Sequence, residues 1–108
     1  MATSKETTLS LHKDVTYGTE DKTAFVVPAT GVFYVTDIEG EGAFDLNCYV
    51  SIAFDGVIFW HTKGSSSSKK LFSFTGDGVK KVELILSAVD LPSGSAIIGG
   101  ACIVREKT

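Results

Sequence analysis

The sequence predicts an all-β chain, folded as an antiparallel β-sandwich of about eight short strands with a jelly-roll-like layering. Three observations predict it. Apolar residues recur at every second position, turn residues separate these runs at regular intervals, and no 11-residue window keeps a helical spacing of apolar residues. Many short strands in one small chain call for two packed antiparallel sheets. At 108 residues there is room for one core, so the whole chain, residues 1–108, reads as a single domain. Hydrophobic residues make up 44% and prolines number two, which is a folded composition.

Taken in order, the first expected strands are residues 6–13 and 22–27. The third, residues 31–39, is rich in Val, Phe, Tyr and Thr, which suit a pleated surface. Residues 45–55 carry the clearest alternation: Leu46, Cys48, Val50, Ile52 and Phe54 against Asn47, Tyr49, Ser51 and Ala53. Residues 57–62 and 69–75 follow. Residues 79–87 set Val82, Leu84 and Leu86 against Lys81 and Glu83, and residues 95–105 close the chain. Asp55-Gly56 between two apolar runs is the signal for a two-residue type I′ hairpin. Gly40-Glu41-Gly42, Gly76-Asp77-Gly78 and Leu91-Pro92-Ser93-Gly94 punctuate the rest, and the run from Gly64 to Ser68 reads as a mobile hairpin loop.

The Asp55-Gly56 turn fixes a register in which opposite residue numbers sum to about 111. Phe54 then faces Val57, Ile52 faces Phe59 and Val50 faces His61. On the opposite face Ala53 meets Ile58, Ser51 meets Trp60 and Tyr49 meets Thr62. That second face is the one expected to meet solvent, yet it collects Tyr49, Ile58 and Trp60. The last strand shows a similar excess, because Ile97, Ala101 and Ile103 alternate with Ile98, Cys102 and Val104. Apolar surface of this kind marks a contact site, and Trp and Tyr are enriched at the centres of interfaces. Tyr49, Ile58, Trp60, Ile97 and Ile103 are therefore the expected interface or ligand-binding residues.

Chemistry-bearing motifs are few. The two histidines, His12 and His61, accompany no G-x-S-x-G elbow. Cys48 and His61 fall diagonally on one face in the expected register, but that face is the core, and a packed thiol is the simpler reading. No catalytic residue is expected, and the chain reads as non-enzymatic. Asp37, Glu39, Glu41 and Asp45 gather around Gly40 and Gly42; oxygen-rich loops can hold Ca²⁺, but the spacing is not that of an EF-hand. Four scattered Cys and His residues do not make a zinc site. No metal and no cofactor are expected. Gly99-Gly100 inside a strand pattern signals a bulge or close packing.

The net charge of −3 and a sole arginine, Arg105, argue against a nucleic-acid footprint. The longest near-apolar stretch, residues 97–104, is too short to span a membrane. The polar start of the chain shows no signal peptide, so synthesis in the cytoplasm is expected. The partners expected are a second copy of the chain and other proteins. The alternative is a carbohydrate, with Trp60 and Tyr49 as stacking platforms.

The stretch Val27-Pro-Ala-Thr-Gly-Val-Phe-Tyr-Val-Thr-Asp-Ile38 resembles a pattern in small jelly-roll proteins associated with bacteriophage particles. In that pattern a V-P-A-x-x-x-x-Y-x-T-D-I-like strand precedes a strand–D-G–strand hairpin, here Val50 to Trp60. A closing strand then ends in G-G-x-x-x-V, here Gly99 to Val104. The resemblance covers residues 25–106. It implies an accessory protein of the virion head, neck or tail, a homo-oligomer that is often a trimer, and it assigns no functional residue.

Overall fold

The computed structural model describes residues 4–27, 31–42, 48–63, 65–89 and 94–107. Among them are nine strands and no helix: β1 (Ser4–Thr16), β2 (Glu20–Val26), β3 (Gly31–Gly42), β4 (Tyr49–Phe54), β5 (Val57–Lys63), β6 (Ser66–Ser68), β7 (Phe72–Gly76), β8 (Lys81–Ser87) and β9 (Ser95–Lys107). They form two antiparallel sheets stacked as a sandwich. One runs β1-β9-β3-β6, with β7 also on β3; the other runs β2-β8-β4-β5. The expected all-β sandwich is therefore what forms.

Alternation explains which side of each strand is buried. In β8, Val82, Leu84 and Leu86 are fully buried, while Lys81 is exposed. In β9, Ile98, Cys102 and Val104 point inward, and Ile97 is 58% exposed on the outside. Between the sheets lie Phe33, Val35, Ile38, Val50 and Ile52 as well. A chain of rings closes the interior where β3 and β7 meet β4 and β5. Phe33–Phe54, Phe54–Phe74, Phe59–Phe74 and Phe59–Phe72 have centroids 5.4, 4.7, 4.8 and 5.0 Å apart. Each such pair contributes about 0.5–1.5 kcal/mol beyond its area.

Gly40 and Gly100 are paired on β3 and β9 and face the opposite sheet. A Cβ on Gly100 would come within 2.7 Å of Val50 Cγ1, and one on Gly40 within 2.9 Å of Thr62 Cγ2. Both glycines thus receive side chains of β4 and β5, and the expectation of close packing at Gly99-Gly100 is met without a bulge there.

Two bulges set the faces. In β3 the register to β9 slips between Thr36 and Glu39, with Asp37 at φ 50, which Asp tolerates. Asp37 turns out to Lys69 Nζ at 2.8 Å, and Ile38 returns to the core with no exposure. The second bulge corrects the expected hairpin. The turn is as anticipated, with Asp55 at φ 53 and Gly56 at φ 78, and Phe54↔Val57 and Ala53↔Ile58 pair as written. Beyond them the register shifts by one: Ile52 faces Trp60, Ser51 faces His61 and Val50 faces Thr62. Phe59 is the extra residue. A bulge of this kind puts two successive side chains on one side, and Phe59 and Trp60 both pack against the core.

Two boundary expectations also change. Residues 66–68 of the serine run are strand β6, paired to residues 38–40 of β3, and not a hairpin loop. The strand expected at residues 69–75 begins only at Phe72, because residues 69–71 step between β6 and β7. Residues 45–47 of the expected fourth strand, residues 28–30 of the phage-like stretch and residues 91–93 of the expected turn lie outside the described residues.

Candidate interaction surface

The residues expected to form one outward aromatic patch divide between two faces. Trp60, opposite Ile52, lies on the inner side of β5 and packs against the core. Ile58 stays outward, 53% exposed beside Ala53. Tyr49 is also outward, and its ring stacks on His61 at 4.9 Å between centroids. The grouping of Tyr49, Ile58 and Trp60 on one face is therefore corrected; the cause is the extra residue at Phe59.

His61 replaces Trp60 as the aromatic group on that side. Its Nδ1 lies 2.9 Å from Ser51 Oγ across the β4–β5 ladder. Ser51 is 4% exposed, so the hydroxyl is shielded and the pair acts as a cross-strand hydrogen bond beneath Tyr49. Cys48 is buried on the opposite side of β4 from Ser51, so the shared Cys48–His61 face is corrected too. Burial raises the Cys48 thiol pKa and pushes that of Cys102 up to about 12, which keeps both as neutral thiols.

On the five-stranded sheet, Ile97 and Ile103 share the outer face of β9 with Gly99 and Ala101. β9 is a central strand between β1 and β3, so these residues form a face and not a sheet edge. Ile103 sits between Thr8 of β1 and Thr36 of β3. Further along, Gly99, which has no side chain, and the small Ala101 leave an open groove of about 530 Å³, walled by Ser10, His12, Glu39 and Glu41. The His12 ring lies across Gly99, with Nε2 3.7 Å from Glu41 Oε1. Among the described residues no group of three His, Cys, Asp or Glu side chains is placed to hold a metal ion; Asp45 of the acidic run lies outside them.

The feature that sequence reasoning missed is the free flank of β1. All 13 residues of this strand pair with β9, from Ser4↔Lys107 to Thr16↔Ser95, without a register shift. No strand pairs with its other side among the described residues. Near its end, Lys13 Nζ reaches Asp21 Oδ1 of β2 at 3.3 Å. Before that point, along residues 4–12, a row of backbone donors and acceptors faces outward.

No family model and no curated protein matches the chain. Among solved structures it is similar to FLHE, with 11% identity and a TM-score of 0.54 over 98% of this chain and 96% of that one. The likeness shows the fold alone. Two further structures are a Bacillus endospore appendage, one of a family of disulfide-linked pili, and the acid-stable capsid of Helicobacter pylori bacteriophage KHP30. They have 12% and 15% identity and TM-scores of 0.48 and 0.49. Each match spans 100% of this chain, with 90% and 94% of the other chains covered. At those scores neither adds to the fold assignment.

Proposed function

We propose that this chain is a non-enzymatic assembly subunit that binds copies of itself. The observation that supports this reading is the flank of β1: a 13-residue edge strand with an unbroken register to β9, no proline and, among the described residues, no strand paired to its other side. Such edges template pairing with another chain unless something blunts them. Outward aliphatic residues, Ile97 and Ile58 in particular, offer further contacts to partner proteins.

The resemblance of residues 25–106 to small phage proteins makes the finer reading an accessory component of a virion head, neck or tail. We read the strand orders β1-β9-β3-β6/β7 and β2-β8-β4-β5 as a jelly roll in which β6 and β7 are one interrupted strand. The carbohydrate alternative draws no support from the geometry, because Trp60 faces inward and the Tyr49 ring is stacked on His61.

Light scattering over a concentration series tests the reading. A mass that rises above the 11.5 kDa protomer is expected. A constant protomer mass at every concentration would overturn it.

A further inference from the structure

We infer that two copies join through β1, antiparallel about a two-fold axis at Thr8, so that their five-stranded sheets become one. This rests on the self-association proposed above and names its partner and its register.

The other edges are poor candidates. β5 is bulged at Phe59, the β6–β7 edge is broken at residues 69–71, and β2 has only seven residues, with Asp21 engaged by Lys13. β1 alone is long and regular.

A two-fold axis normal to the sheet keeps inner residues opposite inner ones and outer opposite outer, so it must pass through a residue and not between two. Charge then disfavours two of the nearby centres. Centring on Ser10 places Glu6 opposite Asp14, and centring on Leu9 places Lys5 opposite Lys13; like charges directly opposite are unfavourable. Centring on Thr8 pairs Ser4 with His12, Lys5 with Leu11, Glu6 with Ser10 and Thr7 with Leu9, without one like-charge pair. Thr8 is also the midpoint of residues 4–12, the run that ends where Lys13 meets Asp21.

The pairing also uses the outer face. Thr8 is exposed and stands beside Ile103, which stands beside Thr36. Across the axis these become a row of six: Thr36, Ile103 and Thr8 of one copy, then Thr8, Ile103 and Thr36 of the second. Facing threonines are a favourable cross-strand pair. Glu6 already holds Arg105 Nε at 2.6 Å on its own protomer, so its charge is balanced opposite Ser10.

Disulfide trapping reads the register directly. In a Thr8→Cys protein the two new thiols face each other at a Cα separation of about 4.5–5.5 Å, within disulfide range. Cys48 and Cys102, 4% and 0% exposed, do not compete. Mild oxidation is expected to give a covalent dimer of Thr8→Cys. Ser10→Cys, whose counterparts would lie about 13 Å apart along the strands, is expected to give none. Thr8→Lys, an exposed substitution that sets like charges on the axis, is expected to reduce the mass to 11.5 kDa with the fold intact. Wild-type protein that self-associates while Thr8→Cys stays uncross-linked, or a trimer whose mass Thr8→Lys leaves unchanged, would overturn the edge pairing and leave the assembly reading standing. Wild-type protein that is monomeric throughout would remove both.

Discussion

Gly99 and Gly100 are adjacent on β9, yet they answer to different surroundings. A Cβ on Gly100 would meet Val50 Cγ1 at 2.7 Å and Leu84 Cδ1 at 3.1 Å, both on buried residues of the facing sheet. Gly100→Ala is expected to cost about 1–3 kcal/mol by overpacking, measured by urea denaturation. A Cβ on Gly99 would meet the His12 ring, but that ring is exposed and can swing aside, so Gly99→Ala should cost about 0.5 kcal/mol or less. The Gly-Gly pair was readable as a sign of close packing; which glycine faced the core was not, because that depends on the phase of the strand. Asp77 offers a second test at this scale. Its carboxylate accepts the Lys80 and Val79 backbone N–H groups at 2.9 and 3.0 Å, which holds its pKa below 3.8. A depressed folded-state value stabilises the fold above the unfolded value, and this is lost as pH falls through the folded one. Denaturation curves taken above and well below 3.8 should therefore show wild type losing more stability than Asp77→Asn. Asp37, hydrogen-bonded to Lys69, shifts in the same direction and adds to the acid loss in both proteins.

The β4–β5 hairpin shows what alternation can and cannot reveal. Asp55-Gly56 announced the turn and the first two pairs, and the core side of β4 followed from Val50, Ile52 and Phe54. The bulge was illegible because Val57-Ile58-Phe59-Trp60 is apolar throughout, so no polar residue marks where the phase changes. Its consequence is measurable. Trp60, half-buried against the core, should cost about 2–3 kcal/mol when changed to Ala, below the range for a fully buried Trp. Ile58→Thr, at a site 53% exposed, should stay within about 0.5 kcal/mol. Equal costs, or a larger one for Ile58, would contradict the shifted register. β6 escaped notice for another reason: serines carry no hydrophobic period, and this short strand forms because β3 offers it an edge.

At the scale of the molecule, the strand type and eight of the nine described strands were legible, whereas their order within the sheets was not. Alternation says that a strand has an inner face and is silent on its neighbours. The Ile97–Ile103 strand thus proved central, and the plain polar segment at residues 4–16 became the edge. Assembly is legible only at this level. The inner-facing thiols give an independent check on the closed sandwich: Cys48 and Cys102 should resist alkylation in native protein and react on unfolding. Hydrogen exchange along β1 reads the edge pairing itself, because alternate amides of this strand point away from β9. These outward amides between residues 4 and 12 are expected to exchange slowly in concentrated protein and quickly on dilution. Fast exchange of the same amides at every concentration, beside protected neighbours bonded to β9, would rule out pairing of copies through β1.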